Sequence, residues 1–223
     1  MENFDFIFLI ISSDDLECYA QMKKYARNYF NLYKKQIKYF FIELKEDLEC
    51  DIHEKDDIIF VKGRECINPG MYIKTIKSMQ YINQNYNYDF LIRTNLSSFW
   101  NLNNLLILKE QLPINNFCGG YIIFNLFISG TGIILSKDVC INLSKTLFES
   151  DANEDVFISN LLIKLGYGLY NITNYRMEYL INGIDNTNHI SDINNILYFR
   201  IKNSDRNIDL QLFNILSNTI YNI

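Results

Sequence analysis

Arg93, Thr94, Asn95, Leu96, Ser97 and Ser98 close a run of aromatic and aliphatic residues at 88–92. A cation, an amide and hydroxyls at the carboxyl end of a buried strand suit a polar ligand, and open α/β sheets bind ligands there. In Ser129-Gly130-Thr131-Gly132 the glycines let backbone approach a ligand closely, or else form a bulge or tight turn. Arg200 and Lys202 alternate on a predicted strand and so face one side, with Arg206 at the helix start that follows. Guanidinium groups grip phosphate bidentately, so this set suits a phosphate, the other reading being a solvated strand end. Arg64, Lys74 and Arg93 are further cations for the same work. Asn153, Glu154 and Asp155 open a predicted helix, where side-chain oxygens cap amides and complement the dipole.

These groups need a scaffold. Residues 4–11 are a continuous apolar run with one charge, the pattern of a buried parallel strand. Ser12-Ser13-Asp14-Asp15 supplies an N-cap for a helix from about 15 to 33. A strand follows at 37–44, a charged surface excursion at 45–57, and a short strand at 58–61 with Lys62-Gly63-Arg64-Glu65 at its tip. Spacing predicts a helix at 71–83 with Ile73, Ile76, Met79 and Ile82 facing in. After the strand at 88–92 comes a helix at 102–112, stopped by Pro113. Strands are expected at 121–124 and 127–134, then a helix at 137–148 capped by Ser136, and another at 156–165 closed by Gly166. The chain continues with a strand near 196–201 and a helix from about 204 to 221. Alternation through about residue 115 predicts parallel layering by the right-handed crossover rule. The fold class is therefore α/β, a single Rossmann-like αβα sandwich with a central mixed, mostly parallel sheet.

The bulk composition agrees with an ordered core. The chain has 223 residues, 15% aromatic and only two prolines, enough to bury a full core without staples. The net charge of -5 argues against a nucleic-acid partner, which selects a basic face. Cys18, Cys50, Cys66, Cys118 and Cys140 show no Cys-x-x-Cys spacing and read as reduced, buried thiols. His53 and His189 are not in zinc-ligand spacing with them. Residues 1–5 lack the basic start of a secretory leader, and the apolar run at 6–11 is too short to span a membrane. The expected location is cytoplasmic, and the Asn-x-Ser/Thr triplets at Asn95, Asn142 and Asn171 are expected to be unmodified.

Three stretches, taken together, resemble GT-A-type nucleotide-sugar glycosyltransferases, in particular the Fringe and β-1,3-galactosyltransferase group. Tyr72-Ile73-Lys74-Thr75, a helix, and then Tyr88-Asp89-Phe90-Leu91-Ile92-Arg93-Thr94-Asn95-Leu96-Ser97-Ser98-Phe99 is similar to that family's Tyr…Lys-Thr helix and its strand ending in Lys/Arg-x-Asp-Asp-Asp-x-Phe. Ser129-Gly130-Thr131-Gly132-Ile133-Ile134-Leu135-Ser136 is similar to Ser-Gly-x-Gly-Tyr-x-x-Ser. Glu154-Asp155-Val156-Phe157-Ile158, followed by Leu165-Gly166, is similar to an acidic pair opening a helix that ends in Lys-Leu-Gly. The tail, Phe199-Arg200-Ile201-Lys202-Asn203-Ser204-Asp205-Arg206, looks like the ends of glycosyltransferase-like proteins of large DNA viruses. A viral origin would make the location host cytoplasm or virion.

The resemblance implies a GT-A-like domain over 1–223, with a nucleotide-binding half at 1–115 and an acceptor and catalytic half at 116–223. It implies transfer of a sugar from a UDP- or GDP-sugar to a glycan or protein-linked acceptor, inverting in one step. Asp155 matches the second acid of the family's pair and becomes the expected base, with Glu154 the runner-up base or a hydrogen-bond partner of a hydroxyl. Ser12, Ser13 and Asp14 are expected at the uracil or ribose. The diphosphate falls to Arg64, Lys74, Arg93, Arg200, Lys202 and Arg206, with Thr94, Asn95 and Ser97 beside them. Trp100 either stacks on an acceptor sugar or packs in the core; Gly130 and Gly132 border the acceptor.

The family's Asp-x-Asp metal pair is absent, because Asn95, Leu96 and Ser97 stand there. Asn and Ser offer neutral oxygens to Mn²⁺ or Mg²⁺, hard cations that favour carboxylates. Three outcomes stay open: a metal held mainly by the diphosphate, catalysis without metal, or a site without catalysis. Asn95, Ser97 and His189 are the candidate metal ligands. The rival to an enzyme is a non-catalytic nucleotide-sugar or glycan-binding module. A nucleotidyltransferase is disfavoured, since Ser12-Ser13-Asp14-Asp15 is not the Gly-rich basic loop that class carries after its first strand.

Overall fold

A computed structural model describes residues 2–146, 153–180 and 192–223. In chain order its elements are β1 (Asn3–Ile11), α1 (Glu17–Phe30), β2 (Ile37–Lys45), β3 (Ile52–Lys55), β4 (Ile58–Lys62), α2 (Gly70–Asn85), β5 (Asn87–Asn95), β6 (Ser98–Trp100), α3 (Leu102–Lys109), β7 (Cys118–Ile123), β8 (Phe127–Ser136), α4 (Lys137–Leu143), α5 (Glu154–Lys164), β9 (Leu169–Asn171), β10 (Arg176–Leu180), β11 (Ile196–Ile201) and α6 (Arg206–Tyr221). They fall into two compact units. The first comprises the described residues of Met1–Ser13, Lys35–Asn95 and Pro113–Asn171; the second, those of Asp14–Lys34, Leu96–Leu112 and Ile172–Ile223.

The first unit is built on an eight-stranded mixed sheet in the order β3-β4-β2-β1-β5-β8-β7-β9. β4, β2, β1 and β5 run parallel, as the continuous apolar runs predict, and β3 and β8 add antiparallel pairs. In β1, Phe6, Ile7, Phe8 and Leu9 are all fully buried, the signature of a strand covered on both faces. One core joins Ile7, Leu9, Phe40, Ile42 and Leu91 of the sheet to Ile76, Met79 and Ile82 of α2, Val139 and Leu143 of α4, and Ile158 and Leu162 of α5. Each such side chain contributes about 1.5–3 kcal/mol on burial. The fold class expected from the sequence is the one found.

The sheet places a ligand edge in a definite spot. β2 lies on one side of β1 and β5 on the other. The strand order reverses there, the switch point at which open α/β sheets bind ligands. Register pairs Ile10 with Thr94 and Ile11 with Asn95, so Ser12 and the end of β5 come to the same edge.

The second unit has a three-stranded sheet, β10-β11-β6, with β6 antiparallel to β11 and Ser98 opposite Arg200. Its core is aromatic: Tyr29 of α1 lies 4.6 Å from Phe99 and 5.3 Å from Tyr221, and Phe99 lies 5.4 Å from Phe213, ring centroid to centroid. Side chains cap two of its helices: Asn101 accepts from the Asn104 amide ahead of α3, and Asp205 from the Asn207 amide ahead of α6.

Several boundaries differ from the expectation. α1 begins at Glu17 behind Leu16, which makes no side-chain cap bond. The expected capping residues have other partners: Ser12 Oγ donates to Glu43 at 2.8 Å and Asp14 accepts from Lys23 at 2.7 Å. The charged excursion at 45–57 contains β3, which pairs with β4 as a hairpin edge. β6 went unrecognised because its apolar residues follow β5 directly in sequence. α3 stops at Lys109, short of the expected 112. α4 stops at Leu143, and 144–146 are no longer helical, short of the expected 148; residues 147–152 lie outside the described residues. Of the five thiols, all free, Cys118 and Cys140 are buried, Cys18 is intermediate, and Cys50 and Cys66 are exposed, which corrects the uniform burial expected for them.

Candidate functional site

The first unit concentrates its polar chemistry where β5 ends. Arg93 is 2% exposed, and four bonds engage its guanidinium. Nε donates to Glu154 Oε1 at 3.0 Å and Nη2 donates to Glu154 Oε2. Nη1 donates to the Gly130 carbonyl and, at 3.1 Å, to Asn95 Oδ1. Thr94 Oγ1 donates to the Thr131 carbonyl at 2.6 Å, tying β5 to β8 beside this group. The sequence suggests Arg93 as a diphosphate ligand; in the fold its donors hold the protein's own groups instead.

Glu154 and Asp155 open α5 and diverge. Glu154 is buried, and Thr75 Oγ1 of α2 also donates to its Oε1, at 2.6 Å. Asp155 is partly exposed. Its Oδ2 accepts from the Gly130 amide at 3.0 Å and its Oδ1 from the Val156 amide at 3.0 Å. Neighbouring residues on a helix are rotated by about 100° from one another, so one acid faces β5 and α2 while the other faces β8. Gly130 fits between the two charged groups: a Cβ there would stand 2.9 Å from Arg93 Nη1 and 3.1 Å from Asp155 Oδ2. Gly132 pairs with Thr94 across the ladder. The close approach at the glycine-rich strand is thus to Arg93 and Asp155.

A second buried polar group lies at the ends of β1 and β2. Lys74 is 1% exposed. Its ammonium donates to the Ser12 carbonyl at 2.8 Å and pairs with Glu65, whose Oε2 in turn accepts from the Leu44 amide at 3.0 Å. Ser13 is partly exposed, and Arg64 is exposed with Glu46 3.8 Å away.

The remaining candidates belong to the second unit. Arg200 Nη1 donates to Ser97 Oγ, and Ile201 N donates to the Ser97 carbonyl at 2.9 Å. Lys202 is exposed. Arg206 pairs with Asp209 and lies over the Tyr19 ring at 5.7 Å. Asp14 pairs with Lys23. Trp100 is fully buried, its ring stacked on Tyr198 at 4.5 Å. His189 lies outside the described residues.

Three participants were not singled out from sequence. Thr75 stood beside Lys74 in a quoted motif, and Glu65 in a strand tip. Glu43 carried the clearest signal, a lone acid inside the apolar run at 37–44, since a buried carboxylate requires a partner.

The donor set bears on the metal expected from the resemblance. Asn95 Oδ1 and Ser97 Oγ are neutral oxygens, and each already accepts from a guanidinium. A hard divalent cation favours anionic oxygens and is repelled by an adjacent fixed cation, so these side chains do not suit a protein-held Mn²⁺ or Mg²⁺. Among the described residues, no cluster of three or more His, Cys, Asp or Glu side chains could hold a metal ion. Nor is any described helix long and apolar enough to cross a membrane.

No protein-family model matches the chain, and no curated protein matches it in sequence. Among solved structures, it is similar to a glycosyltransferase involved in glycosylation of the major capsid of PBCV-1, with a TM-score of 0.56 at 8% identity over 94% of this chain and 99% of that one. HddC from Yersinia pseudotuberculosis aligns with a TM-score of 0.38 at 10% identity, over 77% of this chain and 90% of that one. The first likeness shows a glycosyltransferase-type fold.

Proposed function

We propose that the chain is a glycosyltransferase that moves a sugar from a nucleotide-sugar donor to a hydroxyl of a glycan or protein-linked acceptor, with inversion. The observation that carries this reading is Asp155, a partly exposed carboxylate oriented by the Gly130 amide of β8 in a sheet with this fold. In the step proposed, Asp155 takes the proton of the acceptor hydroxyl as its oxygen attacks the anomeric carbon. The bond from that carbon to the diphosphate oxygen breaks, and the nucleoside diphosphate leaves with the electron pair. Positive charge must meet that leaving group. Ser13, partly exposed just past the end of β1, is assigned to the nucleoside by its place at the switch point.

The neutral pair Asn95 and Ser97 also favours a second reading, a binding module of the same fold that recognises a nucleotide sugar without turning it over. One experiment separates the two. Calorimetry against a panel of UDP- and GDP-sugars, followed by mass spectrometry of donor with candidate acceptors, should give binding and a transferred sugar. Binding without transfer favours the module, and no binding across the panel rejects both.

A further inference from the structure

We propose that Arg93 is a positioning residue for the Asp155 carboxylate, acting through Glu154 and Gly130. The inference rests on the reading of Asp155 as the proton acceptor, and it explains why one of two adjacent acids serves that role.

Four residues form a closed ring. Arg93 holds Glu154 by two parallel bonds and holds the Gly130 carbonyl with Nη1. The amide of the same glycine donates to Asp155 Oδ2, and Asp155 follows Glu154 in the chain. Arg93 therefore touches both supports of Asp155, the helix turn that carries it and the strand residue that orients it. The pair is buried, with side chains 3% and 2% exposed, so Glu154 is anchored as a charge partner and both its oxygens are taken. Thr75 adds a third bond to that anchor. A bidentate guanidinium fixes direction as well as charge, which an ammonium cannot do.

Arg93→Lys on the full chain keeps the charge and loses the fork. With donor and acceptor in hand, it should fold, bind donor as the wild type does, and lose kcat by about 10²-fold with KM little changed, the size expected for a small misplacement. Hydrogen exchange at the Gly130 amide should also speed up, a readout that needs no turnover. Should Arg93→Lys not fold, Arg93→Met with Glu154→Leu removes both charges together; it should fold and show the same kcat loss. Unchanged kcat in a folded variant overturns the inference while leaving the glycosyltransferase reading intact. Donor affinity falling in step with kcat also overturns it, because Arg93 would then be touching donor. A wild-type chain that transfers no sugar rejects the functional reading and the inference with it.

Discussion

The amide of Gly130 donates to Oδ2 of Asp155 at 3.0 Å, joining a strand residue to a helix start 25 positions later. That bond sets the direction of the only acid in the first turn of α5 that is partly open to solvent, since Glu154 beside it is buried and paired.

Asp155→Asn keeps the shape and removes the carboxylate proposed as the base. Transfer should fall by about 10²–10⁴-fold, the usual worth of a positioned general base. Donor affinity by calorimetry and the thermal midpoint should hold near wild type. Turnover within a few-fold of wild type would assign the base elsewhere.

Gly130→Ala tests the packing of the same place. The added methyl meets Arg93 Nη1 at 2.9 Å and Asp155 Cβ at 3.1 Å. Both neighbours are held by hydrogen bonds, so the strain should cost about 1–3 kcal/mol in urea unfolding and lower kcat as well. Gly168→Ala is the control, because nothing lies within 4 Å of its Cβ position; it should stay within about 0.5 kcal/mol of wild type.

Chelation tests whether a divalent cation is needed. Asn95 and Ser97 each face a guanidinium, so transfer should survive excess EDTA. Complete loss with EDTA, restored by added Mn²⁺, would mean that a cation is needed despite this donor set.

Burial pushes the Cys118 thiol up to about 11 and the Cys140 thiol up to about 12. It also raises Tyr88 and Tyr221 above the ordinary tyrosine value. In the unfolded chain a thiol ionises at roughly 8.5. Above that pH the folded chain keeps protons that the unfolded chain has released, so stability falls as pH rises towards 11 and 12. Urea midpoints should drop from pH 8 to pH 10. At pH 8 a thiol reagent should label Cys50 and Cys66 first, and reach Cys118 and Cys140 only after unfolding. Early labelling of Cys140 would contradict the packing of α4.

Much of this was legible in the chain. β1, β2, β4 and β5 announced themselves as continuous apolar runs, because strands covered on both faces have no polar side to alternate with. α2 followed from Ile76, Met79 and Ile82 at helical spacing. What local pattern could not show was partnership across the sheet. Ser12 reads as a cap until Glu43 arrives from β2, and Lys74 reads as a phosphate ligand until Glu65 and the Ser12 carbonyl take its ammonium. Arg93 and Glu154 are 61 residues apart, and no period in the sequence links them. β3 was hidden by its charges, being an edge strand with little to bury.

The interleaving of the two units has a kinetic consequence. The chain enters each unit three times. Phe6 of β1 pairs with Ile37 and also with Phe90. A strand made early therefore waits for a neighbour made much later, and the closing of that long loop precedes the contacts that reward it. Refolding should be slow compared with a helical bundle of equal length. Until β5 is in place, one edge of β1 presents open hydrogen-bonding groups and an apolar face. Aggregation during renaturation should accordingly rise with chain concentration, and fragments cut at any of the five junctions should not refold as separate bodies.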